Sequence, residues 1–148
     1  MLKTGDLVGI TACSDPFPVE KQSVITFLEE KLRSFGLIPK TSPILYKASA
    51  SGEERAKVLM KFYESHLVKA VFDVSGGNLA NETLEYLNFE TLKAHPKPLF
   101  GYSDLTVLLN GVYKKTGTPA YLYQVRNLVG EHGSRQSLEF CESLFHGK

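Results

Sequence analysis

Apolar and polar residues follow one another along this chain with two different periods. Short apolar runs, several rich in β-branched residues, are typical of buried strands, and they occur at 6–13, 69–75, 96–103 and 119–125, with a weaker run at 37–46. Longer segments with apolar residues three or four positions apart predict amphipathic helices at 19–35, 51–66, 81–95, 104–117 and 134–147. Strands and helices are therefore expected to alternate from one end of the chain to the other.

Residues at the segment boundaries support these elements. Ser51 stands three residues before Glu54, which is the spacing of a capping box at a helix start. Gly36 follows the first helix and ends it. The 37–46 run contains Pro39 and Pro43, and prolines within a strand are tolerated only at a sheet edge or an irregular end.

The alternation of strands and helices predicts the fold class. Successive βαβ units with right-handed crossovers give a mostly parallel sheet that helices cover on both faces. The expected fold is an α/β three-layer sandwich of the flavodoxin-like or Rossmann-like kind. A length of 148 residues suits one domain with a single core.

Composition and charge argue against several classes of partner. The 17 basic and 16 acidic residues are well mixed, so neither a nucleic acid nor an anionic membrane surface is expected as a partner. No apolar stretch approaches the roughly 18 residues that a membrane span needs, and the N-terminal run is too short for a signal peptide. Cys13 and Cys141 lie far apart, which favours a reducing compartment over a disulfide scaffold or a zinc site. We expect a cytoplasmic domain without a metal or cofactor.

Three short loops follow three of the predicted strands and carry the candidate chemistry. They are Cys13-Ser14-Asp15, Ser75-Gly76-Gly77-Asn78 and Tyr102-Ser103-Asp104. Because ligands of open α/β sheets bind at the carboxyl ends of the strands, these loops are expected to meet at one edge and form a site.

Ser103 has two interpretations. A serine at a sharp turn from strand to helix can present its hydroxyl as a nucleophile, and Gly101 permits a close bend there. The chain lacks the second glycine of the G-x-S-x-G motif, and a serine before an apolar helix is also an ordinary N-cap. Spacing alone leaves both interpretations open.

The other two loops also have a functional and a structural interpretation. Consecutive glycines at Gly76 and Gly77 expose backbone N–H groups that suit an oxyanion hole or an anion nest, or they form a simple turn. No G-K-[ST] follows, so nucleotide binding by a Walker loop is not expected. Ser14 or Asp15 either contacts substrate or caps the next helix. Cys13 is either a reactive thiol or, as we favour, a small buried residue at a strand end.

A serine nucleophile needs a general base, and the histidines supply no convincing one. His66 and His95 each follow a helix and precede a strand, which places them at the opposite edge of the sheet. His146 ends the last helix, and only His132, in a loop after the last strand, could reach the candidate site.

The stretch 74–117, VSGGNLANETLEYLNFETLKAHPKPLFGYSDLTVLLNGVYKKTG, resembles the central part of the LD-carboxypeptidases, a serine peptidase family that includes the microcin C immunity proteins. Members carry a Gly-Gly loop, an apolar helix, a Pro-Lys pair, a GYSD or GFSD turn and a closing Thr-Gly. The matching residues are Gly76, Gly77, Asn81, Leu84, Leu87, Pro96, Lys97, Gly101, Ser103, Asp104, Thr106, Thr116 and Gly117. The resemblance extends over essentially the whole chain, from the first strand onward, but the stretch AYLYQVRNLVGEHGS departs from the usual family pattern.

The resemblance implies a fold similar to class I glutamine amidotransferases and a hydrolase that releases the terminal D-alanine of murein tetrapeptides. It implies Ser103 as the nucleophile and the backbone N–H groups of Gly77 and Asp104 as the oxyanion hole. It assigns the substrate pocket to Gly76, Asn78 and Asn81. The glutamate and histidine of the family's triad belong to a C-terminal domain, which is absent from residues 1–148.

Residues 1–148 are accordingly expected to form a single N-terminal domain that is inactive alone and acts on a small peptide once the missing domain is present. Without that domain, an apolar face at 120–125 and on the final helix is expected to be uncovered and could support a homodimer. Two alternatives stay open. One is a non-catalytic binding domain that keeps the fold, and the other is half of a microcin-immunity-type hydrolase of peptidyl nucleotides.

Overall fold

A computed structural model describes all 148 residues and contains five strands and six helices. The strands are β1 (Leu7–Thr11), β2 (Ile38–Thr41), β3 (Val68–Asp73), β4 (Leu99–Gly101) and β5 (Ala120–Leu122). The helices are α1 (Gln22–Ser34), α2 (Gly52–Glu64), α3 (Ala80–Glu85), α4 (Phe89–Ala94), α5 (Leu105–Thr116) and α6 (Gly133–His146). Two 3₁₀ turns, Val19–Lys21 and Val125–Val129, precede α1 and α6.

All five strands form one sheet in the order β2-β1-β3-β4-β5, and every neighbouring pair is parallel. This is the strand order of flavodoxin-like folds, in which the order reverses beside the first strand. The predicted α/β sandwich with a parallel sheet is therefore confirmed.

The two faces of the sheet bury separate apolar clusters. In β3, Ala70 and Phe72 join a cluster with residues of α1 and α6, whereas Val71 points to the other face and packs with residues of α2, α4 and α5. This alternation follows from the two-residue period of side chains along a strand. Because both faces are covered, the site has to lie at an edge of the sheet.

The prediction of one helix over 81–95 was wrong, because the segment forms α3 and α4 with a break at 86–88. The Asn88 side chain accepts a hydrogen bond from the Thr91 N–H at 3.2 Å and so starts a new helix. Just before it, the N–H groups of Tyr86 and Leu87 bond to carbonyls three residues back, which tightens the end of α3.

The strands are shorter than the apolar runs that predicted them, while the proposed edge position is confirmed. β2 lies at the edge of the sheet with Pro39 inside it, where its missing N–H is tolerated. Residues 42–46 leave the strand after the Ser42 N–H bonds to the Ile10 carbonyl at 2.8 Å. No helix of the structure combines the length and apolar character that crossing a bilayer would require.

Lys97 ties the end of α2 to the start of β3. It is 8% exposed, and its Nζ donates to the carbonyl oxygens of Phe62 at 2.8 Å, Ser65 at 2.8 Å and Val68 at 3.0 Å. The ammonium thereby satisfies carbonyls that the helix end leaves without partners. Lys97 is thus part of the scaffold rather than of the site.

Candidate active site

The three predicted loops meet at the carboxyl edge of the sheet. The Asp15 N–H donates to the Gly76 carbonyl at 3.2 Å, which joins the loop after β1 to the loop after β3. A Cβ placed on Gly76 would lie 3.5 Å from the Oγ of Ser103, so the loop after β4 lies beside the loop after β3. The strand order makes this possible, because β1, β3 and β4 are adjacent.

Ser103 occupies the sharp turn between β4 and α5. Its φ is +60°, and no other residue except glycine has a positive φ. Such a conformation costs a residue with a side chain about 1–3 kcal/mol, and strain of this kind concentrates at functional sites. The side chain is exposed and its Oγ makes no hydrogen bond within the chain, so it does not act as a helix cap.

Asp104 fixes the position of this turn. Its Oδ2 accepts hydrogen bonds from the Ser14 Oγ at 2.6 Å and from the Ala80 N–H at 3.2 Å. The Ser14 Oγ in turn accepts from the Leu79 N–H at 3.1 Å. The Asp104 carboxylate is therefore committed to holding the loop after β1 and the start of α3 against the serine turn.

The Gly76-Gly77 loop presents backbone N–H groups beside Ser103. Gly77 has a φ of +124°, and a Cβ on it would overlap the Asp15 carboxylate. That carboxylate accepts the Asn78 N–H at 3.1 Å, which holds the loop in place. The N–H groups of Gly77 and Asp104 have no hydrogen-bond partner within the chain. Both are free to bind an anion or an oxyanion.

The remaining predicted pocket residues are accessible. Asn78 follows the two glycines, and Asn81 lies in the first turn of α3. Both are exposed, and neither side chain hydrogen-bonds within the chain. Their side chains are therefore free to bind a ligand.

Sequence reasoning missed a buried carboxylate beneath the site. Asp73, at the end of β3, is 1% exposed and accepts hydrogen bonds from the Cys13 N–H at 2.7 Å and from the Ser75 N–H at 2.8 Å and Oγ at 2.6 Å. The Ser14 N–H donates to the same Ser75 Oγ at 3.0 Å. Burial raises the pKa of Asp73, against these hydrogen bonds. The sequence signal for this buried carboxylate is an aspartate within the otherwise apolar run KAVFDVS.

Cys13 is a structural residue, as we favoured. Its side chain is fully buried, and burial, with the neighbouring Asp73, raises the pKa of the thiol well above its ordinary value. A thiol in this environment is a poor nucleophile. Its carbonyl accepts a hydrogen bond from the Thr83 Oγ1 at 2.6 Å, which anchors α3 to the loop after β1.

Residues 8–124 match the LD-carboxypeptidase N-terminal domain. The chain belongs to the LD-carboxypeptidase family. The resemblance seen in the sequence is thereby confirmed for most of the chain.

Relatives within the family include enzymes and immunity proteins. The microcin C7 self-immunity protein MccF of Escherichia coli is 32% identical over 78% of this chain and 35% of its own length. A solved structure of MccF in complex with aspartyl sulfamoyl adenosine is 26% identical with a TM-score of 0.88, over 97% of this chain and 45% of that one. The muramoyltetrapeptide carboxypeptidase of Oxalobacter formigenes is 25% identical with a TM-score of 0.66, over 77% of this chain and 38% of that one. The chain spans less than half the length of the curated relatives it matches.

No histidine of this LD-carboxypeptidase domain forms a hydrogen bond with Ser103. His66 and His95 follow α2 and α4 and precede β3 and β4, at the edge of the sheet opposite the serine. His132 immediately precedes α6, and His146 ends it. No group of three or more His, Cys, Asp or Glu side chains could hold a metal ion. Within residues 1–148, the site consists of a serine, free N–H groups and fixed carboxylates.

Proposed function

We propose that this chain is the nucleophile-bearing domain of a serine LD-carboxypeptidase, in which Ser103 attacks the carbonyl of an L,D peptide bond and releases a C-terminal D-amino acid. The observation that carries this proposal is the Ser103 turn, with its φ of +60° and an Oγ that makes no hydrogen bond. Nothing else in the structure accounts for strain at that position, and a purely structural turn would favour glycine.

The backbone around Ser103 supports the same chemistry. Attack by the Oγ creates a tetrahedral oxyanion, and the free N–H groups of Gly77 and Asp104 would donate to it. Removing one such donor typically lowers kcat by about 10²–10³-fold. A glycine at Gly76 keeps the space beside Ser103 open, and Asn78 and Asn81 would contact the substrate.

The general base would come from outside residues 1–148. A serine without a base stays protonated at neutral pH, and an oxyanion hole alone gives about 10³–10⁴-fold acceleration over water. We therefore expect the isolated chain to show no useful turnover. A second domain or a partner chain would supply the histidine and its carboxylate. The exposed Tyr121 (45%) and Leu122 (63%) in β5 and Leu138 (71%) on α6 would lie within its docking face.

The proposed substrate is a murein tetrapeptide in the cytoplasm, since a muramoyltetrapeptide carboxypeptidase is among the relatives. The TM-score of 0.88 to the MccF complex, against 0.66 to that enzyme, favours a second candidate. This is a microcin-immunity-type hydrolase of peptidyl nucleotides with the same nucleophile. A non-catalytic binding domain is less well supported, because it would have no use for the strained serine.

D-Alanine release tests the proposal. The polypeptide as its own cell makes it, with any partner it carries, is incubated with a murein tetrapeptide and separately with an aspartyl adenylate analogue. Ser103→Ala should abolish hydrolysis of the true substrate, measured as D-alanine from the tetrapeptide or as aspartate from the analogue. Ser23→Ala, an exposed α1 serine that makes no side-chain hydrogen bond, should leave it unchanged. Full activity in Ser103→Ala, or enzyme-like rates from the 148-residue chain alone, would contradict the proposal.

A further inference from the structure

Arg126 reaches from the loop after β5 toward the loop after β1. It lies in the 3₁₀ turn Val125–Val129, just beyond residues 8–124, where the family match ends. Its Cζ is 5.6 Å from the centroid of the Phe17 ring, which belongs to the loop after β1. The guanidinium is therefore held over an aromatic face at the carboxyl edge of the sheet.

The charge of Arg126 has no carboxylate partner. No carboxylate lies within 4.0 Å of the guanidinium, and its Nε is buried without a hydrogen bond. Asp73 is close enough to influence it, but the oxygens of that carboxylate are occupied by Cys13 and Ser75. Partial burial lowers the pKa of Arg126, while the nearby Asp73 acts in the opposite direction.

Another arginine of the chain shows what a structural role would require. Arg55 is 3% exposed, and its three nitrogens donate to Thr83, Glu82 and the carbonyls of Ala50 and Leu79. Its donors are engaged in holding α2 to α3. Arg126 makes no side-chain hydrogen bond, so none of its donors is engaged within the chain.

Two cavities contain Arg126 and border the loops of the candidate site. One, of about 290 Å³, is lined by Gly76 together with Arg126, Lys21 and Asp15, whose carboxylate is bound to the Asn78 N–H. The other, of about 630 Å³, is lined by Tyr102 and contains Arg126 as its only charged side chain. Ser103 lines neither cavity, but Gly76 faces Ser103 and Tyr102 precedes it in the chain, so an anion bound by Arg126 would lie at the same edge of the sheet as the candidate nucleophile.

We propose that Arg126 binds the terminal carboxylate of the peptide substrate and so positions its last peptide bond against Ser103. The inference rests on the proposed function, because a carboxypeptidase substrate carries an anion one residue from the bond that breaks. A guanidinium can bind a carboxylate through two parallel hydrogen bonds, which fixes orientation as well as charge. Arg126 is a binding residue in this account and takes no part in proton transfer.

Peptide binding without turnover tests this assignment. The protein is the Ser103→Ala variant of the polypeptide as its own cell makes it, with any partner. Calorimetry compares its affinity for a murein tetrapeptide ending in D-alanine with its affinity for the same peptide as a C-terminal amide. The amide should bind roughly 10- to 100-fold more weakly, the effect of losing hydrogen bonds between charged groups. Arg126→Gln should bind both peptides equally weakly, and Arg126→Lys should restore part of the preference. Arg135→Gln on the exposed side of α6, the control, should keep the full preference.

Several outcomes would overturn the inference. They are an unchanged preference in Arg126→Gln, and the lack of saturable binding of the acid peptide to the Ser103→Ala protein. Arg126-dependent binding of adenosine monophosphate without a carboxylate preference would instead assign the anion to a phosphate. A merely structural role would lower the urea midpoint of Arg126→Gln and leave the preference intact. The proposed function fails separately, since it depends on D-alanine release by Ser103 and not on this preference.

Discussion

Replacing Gly77 with alanine tests the geometry of the candidate oxyanion loop. Gly77 has a φ of +124°, and its missing side chain makes room for the Asp15 carboxylate. In Gly77→Ala the methyl group overlaps that carboxylate, so Asp15 has to move and release the Asn78 N–H, which it now accepts at 3.1 Å. The variant therefore suffers both an unfavourable backbone conformation and the loss of a loop contact.

The two effects together determine how much the free energy of unfolding should fall in Gly77→Ala. A side chain at positive φ costs about 1–3 kcal/mol. Losing a hydrogen bond of this kind adds about 1 kcal/mol. We expect Gly77→Ala to lower the free energy of unfolding by about 2–4 kcal/mol. Gly5→Ala is the matched control, because Gly5 has a φ of +92° and no atom within 4 Å of the added Cβ, so that it should show only the backbone cost of about 1–3 kcal/mol, about 1 kcal/mol less than Gly77→Ala.

Urea unfolding followed by far-ultraviolet circular dichroism measures both variants, since the chain has no tryptophan for fluorescence. In the protein as its own cell makes it, the proposed hydrolysis should also be slower for Gly77→Ala, whereas Gly5→Ala should leave it unchanged. Equal losses of stability in the two variants would refute the reasoning, because the contact between Gly77 and Asp15 would then contribute nothing.

Further predictions concern the residues around the site and the scaffold. Ser103→Gly should be about 0.5–1.5 kcal/mol more stable than Ser103→Ala in urea unfolding, since only glycine adopts a positive φ without strain. Equal stability of the two variants would show that the backbone at Ser103 is not strained. Lys97→Met should lower stability by about 2–4 kcal/mol, because buried carbonyls lose their donor, while Lys69→Met, which frees only the His66 carbonyl, should cost less than about 1 kcal/mol. In native protein an alkylating reagent should modify Cys141 and leave the buried Cys13 intact, as peptide mass spectrometry would show.

The pH dependence of stability follows from Asp73. Burial raises its pKa above the ordinary 3.8, so over the interval between the two values the folded chain binds more protons than the unfolded chain. The contribution of Asp73 to stability should therefore fall as pH rises through that window. Comparing urea midpoints of the natural chain and Asp73→Asn from pH 3.5 upward measures this. The urea midpoint of the natural chain relative to Asp73→Asn should fall as pH rises, and a constant difference between the two midpoints would contradict a raised pKa of Asp73.

The arrangement of the fold was accessible from sequence because it depends on local periodicity. Apolar runs and amphipathic segments alternate so regularly that the parallel sheet and the position of its active edge follow. The break between α3 and α4 was missed because the capping signal of Asn88 lies inside an otherwise continuous apolar period. The shortness of β4 and β5 depends on tertiary packing, which no local pattern records.

The site could be predicted only in part, for a similar reason. The Ser103 turn and the Gly76-Gly77 loop leave local signals, namely a serine between strand and helix and two adjacent glycines. The partners of Asp104 and Asp73 lie up to 90 residues away in sequence, and their roles depend on hydrogen bonds across three loops. The sequence does not show that Arg126 lacks a carboxylate partner, because this depends on which groups lie near it in the folded chain.

The most direct measurement of the central claim is covalent labelling of Ser103 in an extract of the source cell, where any second domain or partner is present. After treatment with a fluorophosphonate, trypsin releases residues 94–114, in which Ser103 is the only serine. We expect an adduct on this peptide, and competing tetrapeptide should suppress its formation. An adduct on another serine of the chain, or no adduct at Ser103, would contradict its role as the nucleophile.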